Sequence, residues 1–249
     1  MTVRTKPCLV PPFFEMAKVL KPAETEHFQL SSFEVDDGDV KRMKLRGVIH
    51  PGYGRYWRHF EAGTYMGLYG KDGKTSSWGT HDPIMSDTPY ERETNYEFVQ
   101  AANGDVLIAG LGIGMIVLPI LYKPEVRSVT VIEKEREISE LVFPQLDSVL
   151  PKLLAERDLH PNPVEYKAFT VVVGDAFTYE PPVDMQYDCI WFDIWPMITS
   201  DNWEGMKILT RRYRKWWNRK GKNPFMGSWE RNEVRYHVAQ DKKFEARMY

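Results

Sequence analysis

What most constrains this chain is a pattern that begins at Asp105. The apolar run VLIAGLGIGM, residues 106 to 115, ends in Gly110, Gly112 and Gly114 and then passes into helical periodicity. Strand and helix signals alternate from there on. Residues 105 to 110 read as a strand, and residues 113 to 123 as a short helix whose Pro119 is expected to kink it or loosen its first turns. VRSVTVIE, 126 to 133, reads as a second strand. EREISELVFPQLDSVLPKLLAE carries helical periodicity, with Pro144 as its expected break. A third strand is expected near 168 to 173 and a fourth over 187 to 193, in YDCIWFDIWP. These strands are apolar on both faces, as a covered parallel sheet requires. The expectation is a layered α/β fold: a Rossmann-like, mostly parallel sheet with helices on both faces.

The parts on either side read differently. SDTPYERETNYEFVQAANG, just upstream of the first strand, predicts a helix capped by Asp87 or Thr88, with Pro89 at its first position and Asn103-Gly104 as its stop. Residues 1 to 35 are Pro-rich and read as irregular. Residues 36 to 75 alternate short apolar pieces with the turn signals DDGD, PGYG and KDGK, which suggests a small antiparallel region or long loops. The division expected is a small N-terminal β or irregular region, 1–84, and a Rossmann-like domain, 85–249. After Pro196, DNWEGMKILTRRYRKWWNRKGKN predicts an amphipathic basic helix followed by a turn, and NEVRYHVAQDKKFEARMY suits helix or strand. Few residues follow the fourth strand, so the sheet either stops short or hides its late strands.

Composition excludes some classes. Apolar residues at 43% and charged residues at 27% are the balance of an ordinary globular protein. A formal net charge of -2 does not favour a nucleic-acid or membrane partner. No apolar run approaches the length of a membrane span, and the N-terminus lacks the apolar run of a secretory signal. Cys8 and Cys189 are far apart, and Cys189 lies in a strand pattern, which suggests a buried free thiol in a reducing, cytoplasmic setting.

The glycines open the question of a ligand. A strand that ends in bare backbone and enters a helix permits a tight turn and a close approach. The spacing is G-x-G-x-G with Met115 following, not the G-x-G-x-x-G of a pyrophosphate site, and no Lys-Ser/Thr pair suggests a nucleotide loop. Glu133 closes the second strand, where a carboxylate can accept from both hydroxyls of a ribose. Asp175 in GDAF can accept from an exocyclic amine, and the N–H of Ala176 can donate to a ring nitrogen. Asp193 closes the fourth strand. Ligands of open α/β sheets sit beyond the carboxyl ends of strands, where these elements are expected to meet.

VLIAGLGIGM, IEKE (132 to 135), GDAF and YDCIWFDIWP together resemble the class I S-adenosylmethionine-dependent methyltransferase fold, and within it the spermidine synthase branch, over roughly residues 85 to 196. The resemblance implies that Gly110, Gly112 and Gly114 pack against the methionine part of S-adenosylmethionine. It places Glu133 on the ribose, Asp175 and Ala176 on the adenine, and Asp193 at the sulfonium and nucleophile as the catalytic candidate. Two departures weigh against aminopropyl transfer. Ile113 stands where the branch has an aspartate, and Trp195 and Pro196 stand near its second acidic residue. Tyr90, Glu91, Tyr96 and Trp195 are the substrate-binding candidates.

The reaction expected is methyl transfer to a small molecule, without a metal. An aminopropyltransferase is one alternative. A nucleic-acid methyltransferase is another, its footprint being the basic run from Lys207 to Lys222 with Tyr213, Trp216 and Trp217 interleaved. A non-catalytic cofactor-binding or assembly protein is the third. The Trp-rich helix near 203 to 217 offers a surface for a homo-oligomer.

Overall fold

The computed structural model describes residues 13–49, 61–71, 83–157 and 168–248. The chain begins with a short helix α1 (Met16–Val19), strands β1 (Ala23–Glu24) and β2 (Phe28–Val35), helix α2 (Asp37–Ile49), and strands β3 (Gly63–Gly70) and β4 (Met85–Ser86). The four strands form an antiparallel sheet in the order β1-β2-β3-β4.

Two sequence readings are corrected here. Residues 28 to 35 are a strand rather than irregular chain, and Phe28 and Leu30 on alternate positions face the core. DDGD starts a helix rather than a turn. Asp36 Oδ1 accepts the Asp39 N–H at 2.7 Å and Asp39 Oδ2 accepts the Asp36 N–H at 3.2 Å, the reciprocal pattern that caps a first helical turn. PGYG lies outside the described residues, as does all of KDGK but Lys71.

The second half contains α3 (Pro89–Ala101), β5 (Gly104–Ala109), α4 (Val117–Tyr122), β6 (Val126–Glu133), α5 (Arg136–Arg157), β7 (Ala168–Val173), β8 (Cys189–Phe192), α6 (Asn202–Tyr213), β9 (Phe225–Ser228) and α7 (Arg231–Met248). Its five strands are all parallel, in the order β7-β6-β5-β8-β9. β9 is the disguised late strand. FMGS is too short and too glycine-broken to announce itself, yet it pairs along the whole of β8. The described residues add no antiparallel pair beyond it.

The helices differ from their sequence readings in instructive ways. Residues 113 to 116 form turns, and α4 starts only at Val117. Pro119 therefore sits in the first turn, where a missing N–H costs no internal bond. α5 runs unbroken through Pro144 and Pro151. The ambiguous C-terminal stretch is helical. Thr88 occupies the N-cap position of α3 with Pro89 following. The other end of α3 is closed by Lys123, whose buried ammonium donates to the carbonyls of Val99 (2.9 Å) and Gln100 (2.6 Å).

Strand alternation sends side chains to two cores. Val106, Ile108, Val129, Val131, Cys189 and Trp191 face α3, α4 and α5. That core is continuous with Met16, Phe28, Leu30, Met66 and Leu68 of the N-terminal part. Leu107, Ala109, Ile132, Ile190 and Phe192 face Leu209 and Tyr213 of α6. Cys189 is a buried free thiol, and Cys8 lies outside the described residues. No helix among the described residues is long and apolar enough to cross a membrane.

Candidate active site

The chain runs β5, β6, β7 outward and then returns to place β8 on the other side of β5. Open α/β sheets bind ligands at such a reversal, which here falls at the carboxyl ends of β5 and β8. The backbone ties the candidate residues into one row there. Gly174 N–H donates to Glu133 O, Gly110 N–H to Ile132 O, Asp193 N–H to Ala109 O, and Trp229 N–H to Phe192 O, at 2.8 to 2.9 Å. Glycine turn, Glu133, Asp175 and Asp193 thus stand at successive strand ends, along one edge of the sheet.

The glycine turn is packed against protein. Gly110 has φ +98°, and a Cβ there would overlap the Asp193 carbonyl oxygen, so the switch point closes only over a bare backbone. Gly112 has φ +50°, and a Cβ would overlap the sulfur of Met85, which reaches it from β4. Gly114 faces Leu146 of α5. Met85 was not among the sequence candidates. Nothing near it in the chain announces that the N-terminal sheet lies over this turn.

Glu133 is buried, at 6% exposure. Its Oε2 accepts the Leu111 N–H and its Oε1 the Glu135 N–H, both at 2.8 Å. Burial pushes its pKa up, and these backbone donors pull back against that shift. A carboxylate can accept about four bonds, so Glu133 keeps some acceptor capacity beyond these. Asp175 Oδ1 accepts the Phe177 N–H at 2.8 Å, and Oδ2 lies 3.2 Å from the Lys134 ammonium. The Phe177 bond, then Lys134, hold its carboxyl below the usual range against a smaller opposing effect of burial. Ala176 is buried, and its carbonyl takes the Tyr213 hydroxyl at 2.9 Å.

Asp193 is flanked by protein that sequence reasoning missed. Burial pushes its pKa up to about 7, against a hydrogen bond with Asn95 that lowers it. Asn95 is fully buried in α3. It accepts from Trp191 Nε1 at 3.1 Å and donates to the Glu91 carbonyl at 3.2 Å. The available signal was an asparagine, a poor helix former, on the same helical face as Phe98, Val99 and Ala102. Glu91 reaches the surface on one side, yet burial of its carboxyl, followed by the charges of Asp193 and Glu230, raises its pKa to about 8. Two carboxyls that ionise reluctantly therefore face one another across α3 and the end of β8.

The other substrate candidates separate. Tyr90 is half-buried in the first turn of α3. Tyr96 is 54% exposed and lines a cavity on the outer side of that helix. Trp195 packs toward Gly205 of α6. Trp191 and Phe192 are both core. Trp191 stacks on Phe98 at 4.9 Å, and Phe192 meets Tyr213 edge-on at 5.3 Å. The basic run does not present its aromatics. Tyr213 and Trp216 are buried, Trp217 packs against the same core, and Arg212 donates to the carbonyls of Thr178 and Tyr179.

No protein-family model matches this chain. No curated protein matches it. Among solved structures it is similar to the N-methyltransferase NodS from Bradyrhizobium japonicum WM9, at 13% identity over 43% of this chain and 51% of that one, with a TM-score of 0.32. It is similar to the CcbJ methyltransferase from Streptomyces caelestis, at 21% identity over 51% and 45%, with a TM-score of 0.31. A third likeness is to protein arginine methyltransferase 10 of Arabidopsis thaliana, at 13% identity over 51% and 31%, with a TM-score of 0.34. This chain thus spans about a third to a half of the chains it matches. At these scores the likenesses decide nothing about its chemistry.

Proposed function

We propose that this chain binds S-adenosylmethionine at the carboxyl ends of β5 to β8 and transfers its methyl group to a small-molecule acceptor. The observation that carries the reading is the Glu133 carboxylate, which grips the glycine turn through the Leu111 N–H at the carboxyl ends of β5 and β6. Its unused lone pairs suit the two hydroxyls of a ribose. Asp175 and the Ala176 backbone would take the adenine, and Gly110, Gly112 and Gly114 the methionine part. The donor set fits the nucleoside half. The methionine half requires Met85 to leave Gly112, a move that an unbranched side chain makes easily.

Bound there, the cofactor supplies an electrophilic methyl on a sulfonium, so the protein's task is alignment of a nucleophile. An acceptor that took this methyl would have a proton to release to a nearby base. Asp193 would take the acceptor's proton, since burial lifts its pKa to about 7, a range that suits a general base near neutral pH. The same carboxylate can instead hold the methionine ammonium. Glu91, Tyr90, Tyr96 and Trp195 are the surrounding candidates for acceptor contacts.

Aminopropyl transfer is the second reading, favoured by one observation: Glu91 adds a carboxyl near Asp193, and Glu230 one near Glu91, that the sequence motif lacked. Calorimetric titration with S-adenosylmethionine and its decarboxylated form tests both. Preference for the intact cofactor is expected, and turnover should rise with pH through about 7 if Asp193 is the base. Preference for the decarboxylated form would replace the first reading with the second. Binding of neither would remove both.

A further inference from the structure

A cavity of about 770 Å³ opens between α3, β9 and the start of α7, within the size range of small-ligand sites. The glycine turn, Glu133 and Asp175 do not line it. Its walls are aromatic, with Trp191, Phe225 and Tyr96 among them. Trp191 and Phe225 lie 6.1 Å apart, and Trp191 is held by its stack on Phe98 and its bond to Asn95. This wall is therefore rigid and pre-formed.

The charge facing the cavity is negative. Glu61, Glu93, Glu97 and Glu230 line it against two arginines. Both arginines are partly engaged elsewhere, although the buried Arg92 Nε has no hydrogen-bond partner among the described residues. Arg92 is 3.0 Å from the buried Asp87 carboxylate, and Arg231 sits over the Trp203 ring at 5.1 Å and donates to Thr210. Ser228 adds an independent sign. It lies in the cavity lining at 3% exposure, and its hydroxyl has no hydrogen-bond partner among the described residues. A buried hydroxyl left unmet is uncommon and suits a partner that arrives with a ligand.

We propose that this cavity binds an arylalkyl amine, its ring against the aromatic walls and its ammonium among the carboxylates. Aromatic faces attract a cation as well as a flat ring, and carboxylates complement the ammonium. Through Asn95, the cavity wall at Trp191 and the Asp193 carboxyl share one hydrogen-bonded unit. Taken with methyl transfer at the strand ends, on which this last step rests, the amine is the acceptor class.

The test is calorimetric titration of the full chain with phenethylamine and with its uncharged analogue 2-phenylethanol at neutral pH, without cofactor. The amine should bind roughly tenfold or more tightly than the alcohol. Glu97→Gln and Tyr96→Ala, both at exposed positions of α3, should each weaken it by roughly three- to tenfold with unchanged circular dichroism. Equal binding of the two probes, or full affinity in both variants, overturns the assignment. A parallel titration with S-adenosylmethionine separates the two readings. Amine binding without cofactor binding keeps the cavity assignment and removes the methyl-transfer reading, and the reverse result removes only the cavity.

Discussion

Asp193 is governed by burial, which its hydrogen bond with Asn95 offsets only in part. Its folded pKa of about 7 lies above the ordinary value of 3.8. The unfolded chain therefore releases this proton first, and native stability falls as pH rises from about 4 to about 7, then levels off. Glu91 extends the same trend toward about 8. Asp193→Asn should match the native protein below pH 4 in thermal melts and exceed it at pH 8, by roughly 2–4 °C in Tm for each kcal/mol relieved. Loss of turnover in that stabilised variant with unchanged affinity for S-adenosylmethionine would assign the carboxylate to chemistry. A variant less stable at pH 8 would refute the buried-charge account. Gly112 and Met85 form the second residue-scale test. Gly112→Ala should cost roughly 1–3 kcal/mol from the left-handed backbone and the Met85 overlap. Met85→Ala should recover part of that loss. A double-mutant cycle with coupling below roughly 0.5 kcal/mol would show that the thioether is not what excludes a side chain there.

At the scale of elements, α5 shows how tertiary packing overrides a local breaker. Leu141, Val142, Leu146, Leu150 and Leu154 keep one buried face through both prolines. The prolines forfeit helix bonds, and the buried face holds the helix in one piece. Pro144 itself is exposed, so its replacement loses no packing. Pro144→Ala should raise the urea midpoint, by roughly 1–3 kcal/mol in unfolding free energy. A lower midpoint would mean that the kink is needed for the fit of α5. α6 teaches a related lesson about its charges. Its basic residues surround buried Tyr213, and Arg212 secures the turn after β7. What reads as a nucleic-acid footprint in one dimension is, in part, a set of internal ties.

For the whole molecule, Asp87 is the joint between the two sheets. It is fully buried. Its Oδ2 accepts the Met16 N–H at 2.8 Å and lies 3.0 Å from the Arg92 guanidinium, and its Oδ1 accepts the Met66 N–H at 2.7 Å. α1, β3 and α3 therefore converge on one carboxylate. Removing it leaves buried backbone donors and a half-buried cation unmet, so Asp87→Ala should destabilise the protein by roughly 3–5 kcal/mol. Because both sheets share one apolar core, tryptophan fluorescence and circular dichroism should report that loss in the same transition. Two separated transitions would show that the N-terminal sheet folds by itself.

The sequence by itself determined the parallel sheet, because strands buried on both faces must be continuously apolar, and it placed the glycine turn, Glu133, Asp175 and Asp193 at the same end of that sheet. Local capping chemistry likewise announced α3. β9 was hidden because four residues with a glycine carry no period, and pairing with β8 alone makes them a strand. α2 was hidden because an Asp-Gly cluster serves a helix start as readily as a turn. Only tertiary structure could bring Met85 onto Gly112 and Asn95 between Trp191 and Asp193. It also closed the cavity between α3, β9 and α7, whose walls are contributed by stretches of chain more than a hundred residues apart. Such contacts follow from how the layers stack, and no local pattern encodes them.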